Sequence, residues 1–257
     1  ADAQAITSLV DAGTTVNASF YLPSLNNAIL PYAYGTPQKH IVPLNDMSVE
    51  LSNQSNSTLN TTASVAITDP NGVTTNLSLA TTVPALGMAT VTFPTYTPSV
   101  LGEYQAVFKS GVNPNDSLVQ TFQITPSLFA LDDFTVPKTG ISPSDFSTTL
   151  RYDIGAAYKT GSQFDTVSAV SFSLENANQM IGNTFDIILY DITMGGTDYS
   201  NFTILAYNSH TITAADTTYP HKVITKELFP FSGSNIVLSP NSQYLITVQY
   251  DALLQSN

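Results

Sequence analysis

An all-β chain folded as two β-sandwich domains is what this sequence predicts, and three observations carry the prediction. Period-two alternation of apolar and polar residues recurs throughout, helical spacing is nearly absent, and turn chemistry separates the alternating runs. Of the 257 residues, 42% are hydrophobic, enough to fill one or two cores. Only 10% are charged, against roughly 25% in an ordinary soluble domain. Solubility therefore falls to Asn, Ser, Thr and Gln, and the hydrophobic content argues against disorder.

Residues 1–45 hold prolines at 23, 31, 37 and 43 and the aromatic cluster "LPYAYGTP". Proline cannot donate to a ladder, so this segment reads as an extended arm laid across a sheet, or a first strand with a Pro/Tyr-rich insertion. The stretch "VELSNQSNSTLNTTASVAI" follows, with two alternating runs around a block of Asn, Ser, Thr and Gln. The block reads as a turn within one sheet. Between "SVAIT" and "TTNLSLA" stands Asp69-Pro70-Asn71-Gly72, where proline presets one turn residue and Asn-Gly accepts positive φ, so a hairpin is expected. "ATVTFP" sets Ala89, Val91 and Phe93 on one face, "GEYQAVFKS" sets Tyr104, Ala106 and Phe108, and "LVQTFQI" sets Leu118, Phe122 and Ile124. These runs make residues 46–127 the first sandwich.

"TPSLFALDDFTVPKTG" interrupts the alternation with Pro126 and Pro137, which places a boundary near Ser127 and a second sandwich over 128–257. There "AVSFSLE" carries Val170, Phe172 and Leu174 on one face. "TFDIILYDI" is apolar on both faces and belongs at the centre of a layer. "QYLITVQYD" puts Tyr244, Ile246, Val248 and Tyr250 in register.

The formal charge is −12, from 19 acids against 7 bases. With no run of bases to neutralise phosphates, no nucleic-acid partner is expected. The chain has no cysteine, which excludes a disulfide framework, a thiolate metal site and a cysteine nucleophile. No stretch is long and apolar enough for a membrane-spanning helix. The opening "ADAQAITSLV" lacks a basic segment followed by an apolar block, and reads as a mature terminus or a cut inside a longer chain.

The order strand, Asn-rich turn, strand, hairpin and "G-E-Y", closed by "GVNPNDSLVQTFQIT", resembles the immunoglobulin-like, cell-adhesion-related modules of secreted and surface proteins of Bacteroidota. "SLFALDDF" with "SFSLENANQMIGNTFDIILYDI" is similar to the jelly-roll-like module that often follows them. The resemblance spans roughly residues 40 to 250. It implies an immunoglobulin-like sandwich, then a jelly-roll-like one, in a protein of the kind exported by the type IX secretion system.

Catalytic candidates are sparse. His40, His210 and His221 are isolated, and no nucleophile elbow or phosphate loop occurs. Asp132 and Asp133 are adjacent and point apart in an extended segment; Asp186 and Asp191 differ by an odd number and also face apart. Neither is the opposed pair a glycosidase needs. Asp132, Asp133 and Asp153 are instead candidate calcium ligands, since a hard cation takes several carboxylate and carbonyl oxygens and related jelly-roll modules often hold a structural ion. Asn-x-Ser/Thr triplets mark Asn17, Asn53, Asn56, Asn60, Asn76, Asn115 and Asn201 as N-glycosylation candidates. The resemblance adds O-glycosylation after Asp, at Ser117, Thr166 and Thr217. Tyr32, Tyr34 and Tyr96 are candidate sugar platforms, set against burial of such rings in the core.

The expected function is that of an extracellular or surface-exposed, non-catalytic structural or adhesive protein. Uncharged amides and hydroxyls can meet neighbouring copies or polysaccharide without desolvating charge. "AITSLVDAGTTVNASFYL" could add as a strand to a neighbouring subunit and build a filament or sheath, in which case loss of residues 1–22 leaves a folded monomer. The alternative is a carbohydrate-binding accessory module of a larger secreted protein. No cofactor is called for beyond the candidate calcium, and the expected partners are further copies or surface polysaccharide.

Overall fold

The computed structural model describes residues 6–11, 14–21, 34–45, 47–53, 56–111, 117–130, 151–174, 177–194, 201–217, 223–233 and 235–251. The chain divides into two compact units, Ala1–Leu131 and Asp132–Asn257. It is all-β, and helical structure among the described residues is confined to short 3-10 turns.

The first unit contains β1 (Ile6–Asp11), β2 (Thr14–Tyr21), β3 (Gly35–Pro37), β4 (Ser48–Asn53), β5 (Leu59–Thr68), β6 (Thr74–Val83), β7 (Met88–Thr92), β8 (Gly102–Ser110) and β9 (Ser117–Thr125). One sheet runs β1-β2-β4-β7 and the other β3-β9-β8-β5-β6. Val49, Leu51 and Val91 from the first meet Val65, Ile67, Tyr104, Phe108, Phe122 and Ile124 from the second in one buried cluster. The chain passes from β4 to the second sheet for β5 and β6, back for β7, and across again for β8 and β9. With β3 running parallel to β9, this is the strand order of an immunoglobulin-like sandwich.

Local chemistry explains these elements. In β8, Tyr104, Ala106 and Phe108 are buried at 1%, 1% and 0% exposure while Glu103, Gln105 and Lys109 face water. In the β5–β6 turn, the Asp69 carboxylate accepts N–H bonds from Asn71 (2.9 Å) and Val73 (2.8 Å), and Gly72 takes φ 82°. At the start of β8 the Tyr104 hydroxyl donates to Val100 O (2.9 Å) and accepts from Ser99 N (3.1 Å) and Val100 N (2.7 Å). This is a tyrosine corner, a device that fixes the crossing between sheets.

One expectation is corrected here. The polar block after β4 is not a turn within one sheet: β4 and β5 lie in opposite sheets, and Asn60, Thr61 and Thr62 already belong to β5. Within the N-terminal segment, Ile6–Asp11 and Thr14–Tyr21 are strands of the first sheet. β2 pairs with β1 on one side and with β4 on the other, in its own chain. Pro37 fits the proline rule, since β3 is an edge strand. Pro23, Pro31 and Tyr32 lie outside the described residues.

The second unit contains β10 (Arg151–Lys159), β11 (Asp165–Thr166), β12 (Ala169–Ser173), β13 (Thr184–Asp191), β14 (Thr203–Thr211), β15 (Val223–Glu227), β16 (Phe229–Pro230), β17 (Val237–Leu238) and β18 (Gln243–Asp251). A five-stranded antiparallel sheet, β10-β18-β13-β14-β16, faces two short ladders, β11-β17 and β12-β15. The core forms between these layers. Ile187, Leu189, Ala206 and Tyr244 of the large sheet pack with Leu228, Ile236 and Leu238, and Phe185 packs with Ile212 and Ile224. As its two-faced apolar pattern requires, β13 is central. Tyr244 repeats the corner device, its hydroxyl accepting from Ser239 N at 2.6 Å.

Candidate functional site

Strand register in the second unit defines a second sheet face, opposite the core. Because Ile187 and Leu189 point into the core, Asp186, Ile188 and Tyr190 point the other way. Pairs in register share a face. One row across the sheet therefore reads Asp153 (β10), Gln249 (β18), Asp186 (β13), Ser209 (β14). The adjacent row reads Gly155, Thr247, Ile188, Tyr207 and, on β16, Phe229.

The polar row is organised by hydrogen bonds. Gln249, 4% exposed, donates its amide to Asp153 Oδ1 at 2.5 Å. Tyr207 donates its phenol to Asp186 Oδ1 at 2.7 Å. That bond, with burial and the nearby Asp186 charge adding to it, raises the Tyr207 phenol above its usual value. Beside it, Thr247 Oγ1 is buried with no hydrogen-bond partner.

Toward the β14–β16 margin the face opens and becomes aromatic. Tyr207 is 41% exposed and its register partner Phe229 57% exposed. Phe231, whose N–H bonds to Leu205 O at 2.8 Å, continues the margin at 68% exposure. An irregularity between Leu189 and Tyr190 in the β13–β14 pairing, with Leu205 as the extra residue on β14, lies at this margin. Two rings side by side, one tied to a carboxylate and flanked by the exposed Ser209, offer flat apolar area together with fixed acceptors and hydroxyls. This is the chemistry for holding a polyhydroxylated ligand.

Asp153 and Asp186 share the face, each engaged by a neighbour: Gln249 donates to the first and Tyr207 to the second. β18 runs between them, placing their backbones about 10 Å apart, and the Gln249 side chain stands in the gap. Asp191 pairs with Tyr244 on the core-facing row and accepts from Thr193 N at 2.8 Å.

The residues singled out from the sequence are dispersed. Of the calcium candidates, Asp132 and Asp133 lie outside the described residues, and Asp153 is engaged by Gln249. Among the described residues no three His, Cys, Asp or Glu side chains converge as metal ligands.

Asn53 has a structural use. It is 1% exposed, and its Nδ2, the atom a sugar would be joined to, donates to Ser57 O (2.7 Å) and Val83 O (3.3 Å). Asn56, Asn60, Asn76, Asn201, Ser117 and Thr166 are exposed. The half-buried Thr217 donates its hydroxyl to Ala214 O at 2.8 Å. Asn17 falls where only the backbone is described, and Asn115 lies outside the described residues. Tyr34 donates to Glu103 (3.3 Å), and Tyr96 packs edge-on against Tyr104.

Two histidines have environments that the sequence reading missed. His40 is 1% exposed and stacks on Phe129 at 5.2 Å. His210 donates from Nε2 to Asp216 Oδ2 at 3.0 Å, and since a carboxylate only accepts, Nε2 carries the proton. Asp216 also accepts from Thr213 N (2.9 Å) and Thr213 Oγ1 (2.8 Å). Burial pushes its carboxyl up, but the Thr213 bonds and the His210 ring outweigh this and hold it below the ordinary 3.8. A lowered folded-state pKa contributes stability that is present above the unfolded value and lost as pH falls through the folded one. Asp216→Asn is therefore expected to cost about 1–2 kcal/mol at neutral pH. The gap to the parent protein should close as pH falls below 3.8; urea titrations across pH 7 to 2 measure it.

No protein-family model and no curated protein matches the chain. Among solved structures it is similar to red sea bream transglutaminase, at 8% identity and TM-score 0.26 over 96% of this chain, which spans 27% of that enzyme's chain. It is similar also to a carbohydrate-binding module of the β-sandwich superfamily, at 11% identity and TM-score 0.17, covering 82% of this chain and 89% of that one. A third likeness is to a tandem of two CBM22 modules from Paenibacillus barcinonensis, at 10% identity and TM-score 0.16, covering 98% of each. Similarities this weak carry no functional argument. The reading of function rests on the molecule's own geometry.

Proposed function

We propose that this is an extracellular, non-catalytic β-sandwich protein whose second unit binds polysaccharide, in an adhesive or accessory role. The observation that supports it is the β14–β16 margin, where Tyr207 and Phe229 stand exposed side by side and Asp186 fixes the phenol. Rings of this kind cover the apolar face of a sugar, and Asp186 and the exposed Ser209 beside them supply hydrogen bonds to its hydroxyls. The low charge suits contact with a neutral chain, since few charges need desolvating.

A glycan array probed with the full chain tests this. Binding to at least one polysaccharide family is expected. Tyr207→Ala and Phe229→Ala should each weaken it by about tenfold or more, as loss of a central aromatic anchor does. Tyr34→Ala should leave it unchanged. No retained glycan, or equal retention by all variants, would remove the reading.

A further inference from the structure

The open edges of the sheets are not alike. β3 is three residues long and ends in Pro37, β16 ends in Pro230, and β10 carries Arg151, Asp153 and Lys159. Short length, proline and charge are the usual ways a protein keeps an edge from pairing. β6 has none of them. It is ten residues long, it pairs with β5 without a register shift, and "TTNLSLATTV" holds no charge and no proline. It is the last strand of its sheet.

Its sequence is also close to self-complementary. Thr74-Thr75-Asn76-Leu77-Ser78-Leu79-Ala80-Thr81-Thr82 reads nearly the same in both directions about Ser78. We propose that β6 is a homodimerisation edge, pairing antiparallel with β6 of a second copy of this chain about a two-fold axis at Ser78.

The backbone supports this register. Asp69 N bonds to Val73 O at 2.9 Å, which makes that pair a hydrogen-bonded one. Such pairs alternate along an antiparallel ladder, so Thr75, Leu77, Leu79 and Thr81 turn their N–H and C=O groups toward β5. Those of Thr74, Asn76, Ser78, Ala80 and Thr82 point out at the open edge. With Ser78 opposite Ser78, the outward groups face one another: Asn76 meets Ala80 and Thr74 meets Thr82. Ser78–Ser78, Asn76–Ala80 and Thr74–Thr82 are then the bonded pairs, and Leu77–Leu79 and Thr75–Thr81 the non-bonded pairs between them.

The side chains agree with the backbone. Leu77 and Leu79 lie partly buried against the first unit's core. In this register Leu77 of one copy faces Leu79 of the other on that same side, so the core continues across the axis. Thr75 and Thr81 flank them. An isologous contact closes on itself, so it gives a dimer and no filament. It involves residues of the first unit alone, so this proposal and the glycan-binding reading of the second unit can each fail without the other.

Sedimentation of the full chain from micromolar to hundred-micromolar concentration is expected to show a monomer–dimer equilibrium. The dimer should tighten with added salt, because two chains of charge −12 repel and salt screens them. Ser78→Lys sets like charges against each other on the axis and should leave a folded monomer, with unchanged far-ultraviolet dichroism. The chain has no cysteine, so Ser78→Cys reports the register directly: bonded partners lie about 5.5 Å apart, within disulfide reach. Under mild oxidation it should give covalent dimer rapidly. Asn76→Cys, which faces Ala80, should not. A chain monomeric at every concentration, or equal cross-linking of the two cysteine variants, overturns the proposal.

Discussion

Gly155→Ala is expected to cost the second unit about 3 kcal/mol or more. A Cβ at this position collides with the backbone carbonyl oxygen of Ile246 and stands 2.8 Å from Thr247 Cγ2. Neither can give way cheaply. Ile246 and Thr247 belong to β18, which is paired with β10 on one side and with β13 on the other. A shift of the β18 backbone would therefore disturb the central strand, where Ile187 and Leu189 are buried at 0% and 3% exposure. Urea unfolding should show the loss in the second unit's transition while the first unit's is unmoved. An unchanged transition would mean that β10 and β18 are not held as tightly as the register implies.

Tyr104→Phe should be nearly as damaging to the first unit. Removing one oxygen leaves Ser99 N and Val100 N without their acceptor and Val100 O without its donor, beside a ring that is 1% exposed. Part-buried backbone groups left unpaired cost about 1–3 kcal/mol each when water cannot reach them, so a total of about 2–3 kcal/mol is expected after partial rehydration. The ring itself stays, stacked on Phe122 at 4.9 Å, so no cavity confuses the measurement. Tyr244→Phe removes a hydroxyl that accepts one backbone N–H, from Ser239, and should cost about half as much. If the two variants lose equal stability, the corner is not what the hydrogen bonds suggest.

Where a property is local, the sequence shows it. Alternation marked the buried face of β8, Asp69-Pro70-Asn71-Gly72 marked the β5–β6 hairpin, and the two-faced apolar run marked β13 as central. Each depends on residues a few positions apart. The crossing from β4 to β5 was not visible, because an Asn/Ser/Thr turn has the same composition whether it closes a hairpin or joins two sheets. The first strands were obscured by prolines that lie beyond them.

The site was hidden for a different reason. Tyr207 and Phe229 meet only because β14 pairs with β16 in one register, and Asp153, Gln249 and Asp186 line up only because β10, β18 and β13 do. A one-residue slip in any ladder would send the same side chains to the opposite face. Composition carries no trace of that choice. The His210–Asp216 pair did leave a signal: Thr213-Ala214-Ala215-Asp216 is a capping box, with an acid three residues after the cap, and His210 sits just before it.

The most direct test of the account is a titration of isotope-labelled full chain with the oligosaccharide that best competes for binding, followed by backbone and aromatic resonances. Perturbations should concentrate on Asp186, Tyr207, Ser209, Phe229 and Phe231 and leave β5 and β6 unmoved. Perturbations confined to the first unit, or none at saturating ligand, would contradict the claim that the β14–β16 margin of the second unit is where this protein binds.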